Sequence, residues 1–118
     1  MDFKGIFPIL VTPFNEDESV DLQSVGRLVG FMRKIGTQGV TILGVLGEAN
    51  RISEQERSEI IKTAVSEADN MPVIVGTSAT GTKLACKYAS MAEALGADAI
   101  MVTPHQEQVP SNDRLLHY

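Results

Sequence analysis

Four short apolar segments recur along the chain at intervals of about 30 residues, the length of one strand–helix–strand unit. They begin near residues 6, 39, 72 and 99. Between them, apolar residues recur with the 3.6-residue period of a helix that buries one face. Segments that are apolar almost throughout are typical of parallel strands covered on both faces. The pattern predicts an α/β fold with a parallel sheet and helical crossovers.

The boundaries of these elements follow from local signals. Pro8 weakens the first strand because proline donates nothing to a sheet ladder. Ser53 and Glu56 have the spacing of a capping box at a helix start, and Gly36 and Gly96 are plausible helix stops. The predicted strands are 5–12, 40–43, 72–76 and 99–102; the predicted helices run from about 21 to 35, from 53 to about 69, up to about 95, and onward from Ser111.

Two architectures would complete such a sheet, a closed eight-stranded barrel or an open doubly wound sheet. A repeated motif favours the barrel, since strand one ends in Leu-Val-Thr-Pro13 and strand four in Met-Val-Thr-Pro104. A (β/α)8 barrel needs about 250 residues. If the sheet closes as a barrel, residues 1–118 would supply only about half of it, as four βα units of which the last is incomplete. Such a half-barrel leaves one sheet face and two edges exposed.

Composition narrows the class of protein. A formal net charge of -5 argues against electrostatic binding of nucleic acid. No apolar run approaches the roughly 20 residues of a membrane span, and residues 1–5 show no signal peptide. The single cysteine, Cys86, fits a reducing compartment and is predicted to be a small buried filler. We expect a cytoplasmic protein that contacts neither nucleic acid nor membrane.

The loop Gly44-Val-Leu-Gly-Glu48 is the first candidate site. It follows the second strand, and α/β proteins place ligands at the carboxyl ends of their strands. Its backbone N–H groups would suit a carboxylate or keto oxygen, with Glu48 as a general base or an orienting group. A tight turn that uses glycine for geometry alone explains the same residues, and an acid near a helix start often only favours the helix dipole.

The remaining chemical groups are sparse. His105 is predicted on the same rim as the Gly44 loop, where it would move a proton near neutral pH; a solvated histidine is the ordinary alternative. Spacing predicts no metal site, and residues 77–82 lack the lysine–serine ending of a P-loop. No lysine falls within an apolar strand, where a desolvated amine is tuned for Schiff-base chemistry.

Several motifs together resemble one family. Phe7-Pro-Ile-Leu-Val-Thr-Pro-Phe14, Gly44-Val-Leu-Gly-Glu-Ala49 and Pro72-Val-Ile-Val-Gly-Thr77 occur in the order seen in the dihydrodipicolinate synthase and N-acetylneuraminate lyase family. Ala94-Leu-Gly-Ala-Asp98 and Val102-Thr-Pro104 continue the match. The resemblance covers essentially the whole chain, and the combination is specific although each motif alone is weak.

The resemblance implies a TIM barrel, often assembled as a homo-oligomer, that acts on pyruvate-type keto acids through a lysine Schiff base without a cofactor. The substrate carboxylate would lie near Val45, Leu46, Gly47 and Glu48. Val45 and Leu46 replace the family's threonine pair, and His105 and Gln106 stand where the synthases carry tyrosines. The family's lysine falls beyond Tyr118.

The leading prediction is therefore the N-terminal half of a lyase that binds pyruvate or a related 2-keto acid, with His105 as a replacement proton donor. A sugar-acid aldolase or dehydratase of the same family is the alternative within the enzymes. Outside them, the chain would be an inactive half-barrel that serves as an assembly fragment; alone, it is predicted to lack catalysis.

Overall fold

The computed structural model describes residues 3–104 and 112–117. Strands and helices alternate along this part of the chain, as the sequence pattern predicts. The elements are α1 (Leu22–Ile35), β1 (Val40–Ile42), the 3-10 turn η1 (Ala49–Arg51), α2 (Glu54–Ala68), β2 (Val73–Gly76), α3 (Thr82–Ala94), β3 (Ala99–Met101) and α4 (Asn112–His117). Ser111, predicted as the cap of α4, lies outside the described residues.

The helix ends use the caps that local chemistry favours. At the start of α1, the Asp21 side chain accepts a hydrogen bond from the Ser24 N–H. Gly36 ends the helix at φ 87°, a left-handed conformation that costs glycine little. α2 begins with the predicted capping box, in which Ser53 and Glu56 each accept from the other's backbone N–H.

The strands pair in chain order. β1 is parallel to β2, with Val40 opposite Val73, and β2 is parallel to β3, with Val75 opposite Ile100. Sequential order without a reversal is the arrangement of a barrel wall, whereas a doubly wound sheet reverses its strand order at a switch point. The described sheet therefore supports the first of the two predicted architectures.

The first predicted strand is much shorter than residues 5–12. A single bridge joins Ile9 to Thr41 in parallel, flanked by hydrogen bonds from the Leu10 N–H to Thr41 and from the Thr41 N–H to Pro8, both 2.8 Å. Pro8 has no N–H to extend this ladder. The segment nevertheless lies beside β1, on the side away from β2, where the first strand of a barrel belongs.

The core lies between the sheet and its helices. Val40, Ile42, Val73 and Val75 on the strands are buried together with Val29 on α1. On α2, Ile60, Ile61, Ala64 and Ala68 are buried and Val65 is half-buried, which agrees with the helical period of apolar residues in this segment. On the other side of the sheet, Ile9, Val11 and Met101 are exposed. Among the described residues the sheet is thus covered on one face only.

The prediction for Cys86 is wrong. Cys86 is exposed, while its neighbour Ala85 is buried. On α3 the buried positions are Ala85 and Ala92, seven residues or two helical turns apart, and Cys86 falls outside that stripe.

Candidate functional site

A tight turn follows β1 at the carboxyl end of the sheet. The Glu48 N–H donates to the carbonyl oxygen of Val45 at 3.0 Å, which closes a turn with Leu46 and Gly47 at its centre. Leu43 and Glu48, on either side of it, have φ values of 58° and 55°. Non-glycine residues in this left-handed region persist only where the surrounding structure holds them.

Within the described part of the chain, the N–H groups at the front of this turn have no partner. Among residues 3–104 and 112–117, no hydrogen bond engages the N–H of Val45, Leu46 or Gly47. Unpaired backbone N–H groups on a fixed turn are suited to bind an anionic oxygen. The sequence-based interpretation of this loop as a source of free N–H donors therefore agrees with its geometry.

Residues 10–12, in the segment that precedes α1, pack against the turn. Thr12, which is buried, donates its hydroxyl to the carbonyl oxygen of Gly47 at 2.6 Å. A side chain at Gly47 would press within 3.2 Å of the Leu10 carbonyl oxygen. Glycine at this position thus allows the turn to pack closely against residues 10–12.

A second close contact lies just before the turn, between Gly76 and Leu43. A Cβ atom at Gly76, the last residue of β2, would collide with the carbonyl oxygen of Leu43. The two strand ends therefore meet backbone to backbone, and glycine at residue 76 is a steric requirement.

The side chains of the turn point away from the core. Val45 is 96% exposed and Leu46 57% exposed. The Glu48 carboxylate lies 3.6 Å from the Arg51 guanidinium, and both groups remain open to solvent. In this structure the charged neighbour of Glu48 is therefore an exposed arginine. An exposed ion pair of this kind contributes little to stability.

A cleft of about 580 Å³ opens beside the turn. Its lining combines the ends of the strands with the start of α3, and includes Gly44, Val45, Ser78, Thr103 and Tyr88. The N-terminus of α3 carries no side-chain cap, since Gly81 is the capping residue. Val45 at the start of the turn and Leu84 in the first turn of α3 both line this cleft, whereas Leu46 and Gly47 do not.

Arg57 forms the back of the cleft and is 2% exposed. One terminal nitrogen donates to the Gly76 carbonyl oxygen at 2.7 Å, and the guanidinium lies 4.1 Å from the centre of the Tyr88 ring. Its Nε has no partner among the described residues. Burial lowers the pKa of Arg57, while Tyr88 opposes that shift; an arginine remains charged in any case.

Residues 2–118 match the family model described as the dihydrodipicolinate synthetase family. The chain belongs to this family. A 4-hydroxy-tetrahydrodipicolinate synthase 2 from Halalkalibacterium halodurans is 34% identical over 120 residues, which cover 100% of this chain and 41% of the relative. A 4-hydroxy-tetrahydrodipicolinate synthase from Thermoanaerobacter sp. strain X514 is 36% identical, over 98% of this chain and 39% of the relative.

Solved structures of the family agree in fold. Dihydrodipicolinate synthase from Thermotoga maritima superposes with a TM-score of 0.91 at 31% identity, over 98% of this chain and 39% of that structure. A dihydrodipicolinate synthase variant described as the first monomeric one gives a TM-score of 0.90 at 31% identity, with 98% and 38% coverage. The chain spans about two fifths of the relatives it matches, so its α/β fold is the N-terminal part of the family's barrel.

The predictions for the site residues and the lysines have three different outcomes in the structure. Val45, Leu46, Gly47 and Glu48 lie together in one turn; their role in substrate binding stays a prediction. His105 lies outside the described residues. All five lysines are exposed, on the helices or at Lys4 before the first bridge, so none is a desolvated strand amine.

Sequence reasoning missed Arg57 and Thr12. Arg57 precedes Ile60, Ile61 and Ala64 on the same helical stripe, which was the available signal that its side chain points inward. Thr12 gave no such signal, because its bond to Gly47 joins residues 35 positions apart.

No group of three histidine, cysteine, aspartate or glutamate side chains among the described residues is placed to hold a metal ion. In the same part of the chain, every helix is too short or too polar to cross a bilayer.

Proposed function

We propose that residues 1–118 are the N-terminal half-barrel of a lyase that binds pyruvate or a related 2-keto acid and reacts through a lysine Schiff base. Membership of the dihydrodipicolinate synthetase family supports the lyase class. Val45, Leu46, Gly47 and Glu48 form the substrate-binding turn in this proposal. The reactive lysine would lie in the part of the relatives that this chain does not match.

The observation that carries the proposal is the set of N–H groups at Val45, Leu46 and Gly47, which have no partner among residues 3–104 and 112–117. A 2-keto acid presents a carboxylate beside its carbonyl, and a carboxylate is well bound by converging backbone donors. The turn lies at the carboxyl end of the parallel strands, where barrel enzymes build their sites. Position and chemistry thus support the same substrate class.

His105 is proposed as a proton donor in this reaction. It follows Pro104 in the sequence, shortly after β3 ends at Met101, and the sequence pattern predicts it on the same rim as the turn. An imidazole titrates near neutral pH and both gives and takes protons there. This role is one that the family's tyrosines fill at the matching positions.

Trapping with borohydride tests the proposal. In the proposed step a lysine amine condenses with the ketone of pyruvate and releases water, and borohydride then adds hydride to the imine carbon. The protein from its native source is weighed by intact mass spectrometry before and after treatment with pyruvate and borohydride. A trapped pyruvate adduct on a chain longer than 118 residues supports the proposal. A 118-residue chain without an adduct supports the inactive assembly fragment instead.

A second candidate is a sugar-acid aldolase or dehydratase of the same family. The side chains of Val45 and Leu46 are exposed and carry no hydroxyl, so the turn lacks the threonine pair that resemblance associates with the synthases. Product analysis with aspartate semialdehyde and with sugar acids separates the two candidates. Turnover of aspartate semialdehyde with pyruvate would reject the sugar-acid alternative.

We also propose a homo-oligomer in the cytoplasm. This part of the proposal is supported by the resemblance to a family whose members are often assembled as homo-oligomers. Sedimentation equilibrium of the native-length protein gives the oligomeric state; a monomer at micromolar concentration would contradict this part of the proposal.

A further inference from the structure

The peptide between Gly47 and Glu48 is held at both ends. Its carbonyl oxygen accepts the buried hydroxyl of Thr12 at 2.6 Å. Its N–H donates to the Val45 carbonyl oxygen at 3.0 Å. A peptide unit is planar and rigid, so these two bonds together fix its orientation. One bond is local to the turn, and the other ties the turn to the first segment of the chain.

Fixing this peptide fixes the turn in front of it. Leu46 and Gly47 are the two central residues of the turn, and their N–H groups are unpaired among the described residues. Rotation of the 47–48 peptide would break the hydrogen bond that closes the turn. The N–H of Gly47 would then no longer point in a fixed direction. Donors that are fixed in advance bind an anion better than donors that must be ordered on binding.

The turn also needs an outside restraint. Leu43 and Glu48 hold left-handed φ values of 58° and 55°, a conformation that costs a non-glycine residue roughly 1 kcal/mol or more. The turn's own hydrogen bonds are few, and the Ala49 N–H bond to Gly44 is long at 3.4 Å. The short Thr12 bond, which joins the turn to the neighbouring segment, is the contact that supplies the restraint.

We propose that Thr12 is a positioning residue, whose hydroxyl holds the Val45–Glu48 turn so that the N–H groups of Leu46 and Gly47 are preset for a substrate carboxylate. This inference rests on the proposed function for the identity of the anion. The positioning itself rests on the Thr12–Gly47 hydrogen bond alone. Thr12 does not touch the substrate in this account; it acts through the peptide that it holds.

Three substitutions separate positioning from general stability. Thr12→Val keeps the shape of the side chain and removes the hydroxyl, and Thr12→Ser keeps the hydroxyl. Thr37→Val is the matched control, because Thr37 also donates to a backbone carbonyl, that of Met32 at 3.1 Å. Thr37 lies between α1 and β1, at the opposite end of the sheet from the turn.

The first measurement needs no substrate. Hydrogen exchange of the Glu48 amide is followed by NMR in the native-length protein. We expect Thr12→Val to speed this exchange about tenfold, the size expected for one buried hydrogen bond, while Thr12→Ser and Thr37→Val leave it unchanged. Unchanged exchange in Thr12→Val would overturn the positioning role.

The second measurement uses pyruvate. We expect Thr12→Val to raise KM for pyruvate about tenfold with a smaller change in kcat, Thr12→Ser to restore KM, and Thr37→Val to lower Tm without changing KM. A KM for Thr12→Val equal to wild type would overturn the inference. If the wild type ignores pyruvate while Thr12→Val still speeds the Glu48 exchange, the proposed function fails and the positioning of the turn stands.

Discussion

The guanidinium of Arg57 donates a 2.7 Å hydrogen bond to the carbonyl oxygen of Gly76. This bond joins α2 to the last residue of β2, at the end of the sheet where the candidate turn lies. Gly76 in turn meets the carbonyl of Leu43 with no room for a side chain between them. Helix, strand and turn are therefore connected through one backbone position.

Replacing Arg57 tests the first part of this connection. Arg57→Ala leaves a cavity and an unpaired Gly76 carbonyl, and should lower the free energy of unfolding by about 3 kcal/mol. Arg57→Met fills most of the volume and removes a buried charge, so its cost should be about 1 kcal/mol. Urea unfolding measures both, with Arg27→Ala on the exposed side of α1 as the control. Equal, negligible effects of both Arg57 variants would contradict this account.

Replacing Gly76 tests the second part. Gly76→Ala must push the Leu43 backbone aside and should cost about 3 kcal/mol of stability. Gly30→Ala is the control, because Gly30 lies within α1 and an added Cβ would meet nothing within 4 Å. That control should stabilise the protein by about 1 kcal/mol through its higher helix propensity. Thermal unfolding of the two variants should thus shift in opposite directions, and a harmless Gly76→Ala would disprove the close approach.

The capping box of α2 predicts that the free energy of unfolding depends on pH. Glu56 accepts a hydrogen bond from the Ser53 N–H at 3.1 Å, and that bond, with the Ser53 hydroxyl, lowers the pKa of the Glu56 carboxyl. A lowered carboxyl pKa contributes stability that is present above the unfolded-state pKa. That stability is lost as pH falls through the lower folded-state pKa.

The difference in unfolding free energy between wild type and Glu56→Gln should therefore be present at pH 7 and shrink as the pH falls below about 4. Ser53→Ala should cost about 1 kcal/mol at pH 7. Glu67→Gln, which removes the same charge near the other end of α2 and away from the capping box, is the control for the change of charge. A Glu56→Gln difference that grows on acidification would have the wrong sign.

His105→Ala tests the proposed proton donor. In the native-length protein, loss of a general acid should reduce kcat/KM by about a hundredfold or more. His117→Ala is the matched control, since it removes the chain's other histidine. An unchanged kcat/KM in His105→Ala would remove histidine from the mechanism.

The helices follow closely from the sequence, because their ends are decided locally. Ser53 and Glu56 form the predicted box, and Gly36 and Gly96 take the predicted left-handed conformation after their helices. The first strand was predicted too long: the missing N–H of Pro8 was recognised as a weakness, but its effect, a single bridge from Ile9 to Thr41, is larger than the apolar composition suggests. Burial of Cys86 was predicted from residue type, whereas the adjacent Ala85 occupies the inward position.

The candidate site was predictable only in outline. A glycine turn at the carboxyl end of a strand could be inferred from Gly44 and Gly47. The left-handed Leu43 and the contact between Gly76 and Leu43 depend on how strands far apart in sequence meet. No local pattern encodes such a meeting, and the same reason explains why the bond from Thr12 to Gly47 was not foreseen.

The central claim is that the N–H groups of Leu46 and Gly47 bind the carboxylate of a 2-keto acid. The most direct test is an NMR titration of the ¹⁵N-labelled, native-length protein with pyruvate, observed at individual backbone amides. We predict saturable shifts at Leu46 and Gly47, with none at Gly30 in α1. Shifts absent from the turn, or equal at Gly30, would contradict the claim.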